Sequence, residues 1–192
     1  MTNQISAADI SAQFSHSQQS LPRLSTATSK PTFTSIYHFH DKLIENASSI
    51  PLNNTDLGHL ALVINAADYT AANGGNPFVP PTDPGLNPTH AAGATAAQIT
   101  ENNRIHAETT RNFKTYQATK VLLRNMIINS VDDMYINSLK HRITKYSAIP
   151  PLTIINHLKS TYGTITIDDL TANTKRMTAQ WNPSKKGVYR IG

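Results

Sequence analysis

The sequence contains no cysteine among its 192 residues. Disulfide bonds, a thiolate nucleophile and zinc sites with cysteine ligands are therefore excluded, and the composition suits a reducing compartment. Charged residues are also scarce, at 15%, and hydrophobic residues reach only 39%. Both fractions lie below the average of globular domains. Asn, Thr, Ser and Ala make up the difference, which indicates that part of the chain is loop or disordered.

Long hydrophobic runs are missing as well. The longest apolar stretches, such as residues 60–64 and 126–128, are far shorter than the ~20 residues that cross a bilayer as a helix. Residues 1–10 have neither the basic nor the apolar region of a secretory signal. We therefore expect a soluble protein with a cytoplasmic location and no membrane partner.

The motifs of common catalytic and nucleotide-binding sites are absent too. The sequence has no phosphate-cradling loop of the G-x-x-x-x-G-K-[ST] or G-x-G-x-x-G type, and no G-x-S-x-G nucleophile turn. No other constellation of side chains points to a reaction. We expect no enzyme activity, no cofactor and no small-molecule substrate.

Positive charge is concentrated in the second half of the chain. Residues 1–90 hold three Lys and Arg against six acids, whereas residues 91–192 hold fourteen against six, and together they give the net charge of +5. This asymmetry favours nucleic acid or another acidic surface as a partner. A helical bundle with solvated Lys and Arg on its faces explains the same charge equally well.

The pattern of residues divides the chain into five segments. Residues 1–31 are rich in Ser, Gln and Thr without hydrophobic periodicity, which predicts a disordered tail. Residues 32–72 combine a helix, with apolar residues at helical spacing from Ile36, and a short apolar run at 58–64 that fits either a strand or a buried turn of helix. Residues 73–94 hold five prolines and four glycines, which predicts a linker or an extended surface segment.

The fourth segment, residues 95–183, is predicted to be a helical domain. A helix of about 30 residues is expected from Thr95, because neither Gly nor Pro interrupts apolar residues at helical spacing. Shorter helices are expected at 132–142, 151–162 and 166–180. Residues 184–192 are expected to form an irregular tail. The fold class predicted is mainly α, a bundle of about 4–6 helices.

Two groups of residues resemble functional sites, namely a catalytic carboxylate pair and a metal site, but the predicted helices argue against both. The acid pairs at 132–133 and 168–169 begin predicted helices, where negative charge is favourable, and adjacent acids on a helix do not converge on one atom. His38 and His40 could suggest a metal site, but residues two apart on a helix face different ways. We therefore expect no metal site here.

The basic residues of the second half are the candidate nucleic-acid contacts. Lys140, Arg142 and Lys145 cluster beside Tyr146, and Lys175 and Arg176 precede Trp181. Cations near an aromatic ring suit single-stranded nucleic acid, since the cations hold phosphates and the ring stacks on bases. The alternative is that both aromatics pack in the core, and we favour that alternative for the rings.

A series of short motifs occurs in a characteristic order along the chain: GHLAL at 58–62, PFVP at 77–80, AGATAAQI at 92–99, VDDMYINSLKHRITKY at 131–146 and WNP at 181–183. This order resembles the Gag-like, capsid-type N-terminal region of copia-type LTR retroelement polyproteins, over residues 31–183. The resemblance implies a helical domain that self-associates into a shell and helps to enclose RNA, without catalytic residues or a cofactor. Relatives continue with a further helical region where residues 184–192 stand here, so a truncated copy, a frameshift or a mispredicted gene end is expected.

The sequence leads to one functional hypothesis and two alternatives. The hypothesis is a Gag-like structural protein fragment that forms homo-oligomers and has weak affinity for RNA. The first alternative is a monomeric basic module that binds nucleic acid. The second is a degenerate copy without activity.

Overall fold

The computed structural model describes residues 5–15, 18–27, 30–53, 55–165 and 167–178, with Asp168, Asp169 and Ala172 described by their backbone alone. This part of the chain forms seven α-helices: α1 (Ala7–Gln13), α2 (Phe33–Ser49), α3 (Ala66–Ala72), α4 (Ala96–Ser130), α5 (Asp133–Ile136), α6 (Pro151–Tyr162) and α7 (Ile167–Thr178). Two 3₁₀ segments, Leu60–Leu62 and Asn137–Leu139, complete it. Extended pairing in the described ranges is limited to isolated bridges. The prediction of a mainly α fold is confirmed.

Helix α2 forms one wall of the core. Its start is fixed by a capping box, in which Thr32 and Ser35 each accept a hydrogen bond from the other's backbone N–H through a side-chain oxygen. The fully buried face repeats every three or four residues, as the periodicity predicts: Ile36, Phe39, Leu43 and Ala47.

Gly58 and His59 close the C-terminal end of α2. The backbone N–H of His59 donates to the carbonyl of Ala47 at 2.9 Å, and its ring Nδ1 lies 2.9 Å from the carbonyl oxygen of Ile50. Because a carbonyl oxygen only accepts, Nδ1 carries the proton. The last carbonyls of a helix lack partners within it, so His59 satisfies groups that would otherwise be buried without one.

The position before His59 requires glycine. Gly58 has φ +54°, and a Cβ there would lie 2.6 Å from the carbonyl oxygens of Ser48 and Ile50. The chain then forms the 3₁₀ segment Leu60–Leu62. Of the two structures that the sequence left open for residues 58–64, the helical turn is therefore the one found, and not the strand. The sequence pattern did not predict α3, which follows directly and buries Tyr69 against the same core.

Helix α4 confirms the long helix expected from Thr95. It spans 35 residues and starts with a capping box between Thr95 and Gln98. All its buried residues lie in the C-terminal half: Ala118, Thr119, Leu122, Leu123 and Ile127. The N-terminal half is mostly exposed, and Arg104 pairs there with Glu101 and Glu108. Exposed pairs of this kind contribute little to stability.

Helix α6 packs on α2, α4 and α5. It begins at Pro151, whose fixed φ and missing N–H suit a first turn. Ile154, Ile155 and Leu158 are buried. The helix ends at Gly163, where a Cβ would lie 2.6 Å from the carbonyl oxygen of Lys159. Its bounds agree with the prediction for residues 151–162.

The described part of residues 1–31 differs from the disordered tail that its composition predicts. Ile10 of α1 is 2% exposed and packs against α4, and Leu24 is 4% exposed. The fully buried Asn46 exchanges two hydrogen bonds with the backbone of Gln19, at 2.6 and 2.8 Å. The backbone of Leu24 donates to the carbonyl of Ser130 at 2.8 Å and accepts from the N–H of Asp132 at 2.9 Å, in a parallel bridge. The N-terminal segment has no hydrophobic periodicity, but it is held on the fold by the buried side chains of Ile10 and Leu24 and by the buried amide of Asn46.

One hydrophobic cluster extends across the predicted segment boundaries. It joins residues from Leu24 to Leu158, drawn from α2, the 3₁₀ segment at 60–62, α3, α4, α5 and α6. Residues 32–72 and 95–162 therefore share a core and do not form separate units. No helix among the described residues combines the length and the apolar character needed to cross a membrane. Residues 184–192 and Trp181 lie outside the described ranges.

We expect the substitution Gly58→Ala to destabilise the fold far more than Gly74→Ala. Gly74 has a similar φ of +61° but open space around it, so alanine there costs only the left-handed conformation, about 1–2 kcal/mol. At Gly58 the clash with two carbonyl oxygens adds about 1–3 kcal/mol. Urea unfolding of both variants measures the difference, and equal losses would contradict the role assigned to Gly58.

Stability should also fall as the pH falls below about 6.5. Burial lowers the pKa of His59 and His40 below the 6.5 of a free imidazole, so the unfolded chain takes up protons on these rings more readily than the folded chain. The neutral rings contribute their full stabilisation at pH values above the pKa that the histidines have in the unfolded chain. This stabilisation is lost as the pH falls from that pKa to the lower pKa of the folded chain. At about pH 5.5 the loss is at most about 1.4 kcal/mol for each ring.

Urea unfolding at about pH 7.5 and about pH 5.5 tests this expectation. The variant His59→Asn keeps a donor near Ile50 but cannot titrate, so it should lose less stability on acidification than the unmodified chain. The control His38→Asn removes an exposed imidazole on the same helix as His40. If His59→Asn lost as much stability on acidification as His38→Asn, His59 would not be a source of the pH dependence.

Candidate nucleic-acid and self-association surfaces

Residues 140–145, here called the basic turn, reverse the chain after α5. His141 and Lys145 exchange both backbone hydrogen bonds, each 3.0 Å long. The His141 ring accepts hydrogen bonds at Nδ1 from the backbone N–H groups of Ile143 and Thr144, at 3.3 and 3.2 Å. Lys145 closes the turn with φ +53°. Four of the turn's residues are thus fixed by local hydrogen bonds.

The prediction of a helix over residues 132–142 is wrong beyond Leu139. Helix α5 and the 3₁₀ segment Asn137–Leu139 end before Lys140. The side chain of His141 competes for the backbone N–H groups that a helix would use, as short polar side chains do in turns. Lys140, His141 and Arg142 therefore do not form the basic end of a helix.

Lys140 is engaged by neighbouring residues. Its ammonium lies 2.9 Å from both carboxylate oxygens of Asp133 and 5.5 Å from the centre of the Tyr146 ring. Tyr146 donates from its hydroxyl to Asp133 at 2.7 Å. The hydrogen bond from Lys140 lowers the pKa of Asp133, and burial raises the pKa of Tyr146. The charge of Lys140 is paired, so this residue positions the turn.

Arg142 and Lys145 are the free cations of the turn. Both are exposed, and within the described residues neither lies within 4 Å of a carboxylate. The ammonium of Lys145 donates to the backbone carbonyl of Arg142 at 3.2 Å. Ile143, between them, is 74% exposed. The turn thus presents two unpaired positive charges beside an exposed apolar side chain.

The other two predicted contacts lie apart from the turn, near the end of α7. Lys175 and Arg176 are exposed, and the guanidinium of Arg176 donates to Asn173 at 2.7 Å. No hydrogen bond or ion pair between described residues joins them to the basic turn. The five predicted cations therefore fall into two groups.

The aromatic ring predicted beside the basic turn is inaccessible for stacking on bases. Tyr146 is only 7% exposed and its hydroxyl is bound by Asp133. This agrees with the packing role favoured from the sequence. Trp181, the second aromatic considered, lies outside the described residues.

The histidines at 38 and 40 lie on different faces of α2. His38 is exposed, whereas His40 is buried with Nε2 2.8 Å from the carbonyl oxygen of Val63. Asp132 has a structural role at long range in the sequence, since it accepts hydrogen bonds from the backbone N–H and hydroxyl of Thr26. Among the described residues, no three metal-ligating side chains come together.

Helix α7 exposes an apolar stripe that the sequence pattern did not reveal. Ile167, Leu170 and Met177 are 81%, 55% and 87% exposed. None of the closely packed helix pairs in the described chain includes α7. The spacing of these residues could have indicated the stripe, but the sequence alone does not tell an exposed helix face from a buried one.

No protein-family model, no curated protein and no solved structure matches this chain.

We expect the double variant Arg142→Gln with Lys145→Gln to weaken binding of single-stranded RNA without changing the thermal unfolding midpoint. Each phosphate contact that is lost should reduce the slope of log affinity against log salt concentration by about 0.7, so the loss of both contacts should reduce it by about 1.4. Fluorescence anisotropy at several salt concentrations measures both the affinity and the slope. The control Lys30→Gln with Arg111→Gln removes the same charge from exposed sites elsewhere. Equal effects in both double variants would show that net charge, not the turn, governs binding.

Proposed function

We propose that this chain is a non-catalytic structural protein that self-associates through the apolar stripe of α7. The resemblance of residues 31–183 to Gag-like capsid-type regions suggests assembly as the function. The observation that carries the proposal is the exposure of α7, since a helix with an uncovered apolar stripe is more stable when a partner covers it.

The spacing of the stripe suits pairing between helices. Ile167, Leu170, Thr174 and Met177 follow one another by three, four and three residues, the pattern of a helix-pairing seam. Thr174 is its polar member, and its hydroxyl donates to the carbonyl of Leu170 at 2.9 Å. Its methyl group can therefore pack in the seam without an unsatisfied hydroxyl.

The partner that fits this stripe is the α7 helix of a second copy, in antiparallel orientation. The sequence of α7 has Asp168 and Asp169 near its start and Lys175 and Arg176 near its end. Antiparallel pairing brings the acidic end of each helix to the basic end of the other, and it also aligns the helix dipoles favourably. Parallel pairing would place like charges together.

The size of the stripe predicts weak association. Burying a Leu, Ile or Met side chain completely contributes about 1.5–3 kcal/mol, and α7 has twelve residues. A helix of that length is only about 18 Å long, which is short for an interface of the ~1,200 Å² that stable complexes bury. Each contact should therefore form only at high concentration. An antiparallel pair of identical helices is closed at two copies, so α7 would supply the dimer contact of a larger assembly, and a shell would need a second interface.

A second candidate function is that of a monomeric module that binds nucleic acid. The observation in its favour is the pair of exposed cations on the basic turn, Arg142 and Lys145, which have no carboxylate within 4 Å in the described part of the chain. The buried ring of Tyr146 counts against it, because stacking on bases contributes much of single-strand affinity. Self-association is therefore the better supported of the two, with RNA contact as a secondary activity of the same chain.

We expect Leu170→Asp to abolish self-association, because it places a charge in the seam. Light scattering coupled to size-exclusion chromatography, over a range of protein concentrations, should show a molar mass that rises with concentration for the unmodified chain and a constant monomer mass for the variant. The measurement should be repeated with single-stranded RNA.

The matched control is Asn173→Asp, which makes the same charge change off the stripe and keeps an acceptor for Arg176. It should associate like the unmodified chain. A monomer at every concentration for all three proteins would reject self-association. If only RNA changed the mass, the nucleic-acid module would be the better account.

A further inference from the structure

Residues 76–84, here called the proline ribbon, lie on the surface in a conformation without regular hydrogen bonding. The ribbon holds four prolines, at 77, 80, 81 and 84. Its burial repeats every three residues. Phe78, Pro81 and Pro84 are half-buried, whereas the positions between them, 76–77, 79–80 and 82–83, are all exposed.

A repeat of three is the period of the polyproline II helix, which has three residues per turn and no internal hydrogen bonds. The prolines favour this conformation through their fixed φ. The ribbon therefore has three edges. One edge, with Phe78, faces the protein, and the other two face solvent.

Contacts at its start hold the ribbon against the rest of the protein. The Phe78 ring meets Tyr69 edge-on at 5.3 Å and lies 6.0 Å from Tyr116. Before it, Asn73 and Asn76 each donate a side-chain hydrogen bond to the other's backbone carbonyl, at 3.0 and 3.1 Å. These contacts fix the start of the ribbon.

At the far end, Asp83 accepts a hydrogen bond from the backbone N–H of Gly85 at 2.9 Å, in a turn with φ +74° at Gly85. The ribbon is thus an ordered element between two fixed turns and not a slack linker.

We propose that the proline ribbon is the docking site for a separate protein domain whose aromatic-lined groove reads polyproline II segments. The spacing Pro77-x-x-Pro80 is the pattern that such grooves accept. The pairs Asn76–Pro77 and Val79–Pro80 lie on the two exposed edges, and Val79 is 80% exposed. The groove would cover these two edges while this protein holds the third.

The chemistry of the exposed edges explains the choice of partner. They present proline rings and a valine to a flat aromatic surface. Asn73 occupies the carbonyl of Asn76, but no hydrogen bond from a described residue reaches the carbonyls of residues 77–84, so these can accept hydrogen bonds from the groove. Asp83 is the only charged residue of the ribbon. A helix of a second copy would offer neither the donors nor the flat surface.

Because the ribbon is already ordered, the intact chain should bind more tightly than the same residues as a free peptide. Ordering a free segment costs affinity, and we expect a difference of about fivefold. If the groove needed the edge that carries Phe78, the free peptide would bind more tightly than the intact chain.

The test uses the intact chain and a panel of purified SH3, WW and EVH1 domains, with affinity measured by isothermal titration calorimetry. At least one domain should bind the chain, and Pro77→Ala with Pro80→Ala should weaken that binding at least about tenfold, a loss of about 1.4 kcal/mol. The control Leu86→Ala truncates a side chain that is 94% exposed just beyond the ribbon and should leave binding unchanged. A synthetic peptide of residues 74–86 gives the comparison for pre-ordering.

Thermal unfolding checks that the double variant is folded, and Val79→Asp replaces it if it is not. The proposal is overturned if no domain of the panel binds the chain at concentrations that saturate its own control peptide. It is also overturned if the double variant or Val79→Asp binds like the unmodified chain, or if only the free peptide binds.

Discussion

The closure of α2 by Gly58 and His59 is the constraint on which the rest of the core depends. Two hydrogen bonds from His59 turn the chain back at the end of the helix, and only glycine fits before it. The His59 ring then stacks on Tyr116 of α4, with centres 6.1 Å apart. Because the 3₁₀ segment and α3 follow directly, the same closure places Tyr69 and, through it, Phe78 of the proline ribbon.

The three candidate interaction surfaces, which are the proline ribbon, the basic turn and the stripe of α7, differ in how they are attached to the rest of the fold. The proline ribbon is anchored by aromatic packing, and the basic turn by Asp133, Lys140 and Tyr146 together with its own backbone bonds. Neither needs a partner to be ordered. Helix α7 has no such anchor among the described residues, and its apolar stripe is exposed. This contrast explains why α7 is the surface on which we base self-association, whereas the other two are suited to recognition without rearrangement.

Local patterns predicted the elements whose causes are local. Helices α2, α4 and α6 follow from capping residues, helical periodicity and Pro151, and their bounds differ from prediction by a few residues at most. The basic turn was not predicted. The acids Asp132 and Asp133 and the cations that follow them match the two ends of a helix, whereas the His141 side chain stabilises a turn. The packed N-terminal segment was missed because its anchors include Asn46, a polar residue that periodicity does not reveal.

Residue types and their spacing along the chain were enough to establish the mainly α fold, the exclusion of cysteine chemistry and the positions of the cations. Which of these residues are accessible to a partner follows only from the folded arrangement. Folding pairs Lys140 with Asp133, buries Tyr146, and leaves Arg142 and Lys145 without a carboxylate partner among the described residues. It also exposes the α7 stripe and two edges of the proline ribbon. Exposure depends on what packs against a residue from distant parts of the chain, and one-dimensional spacing does not contain that information.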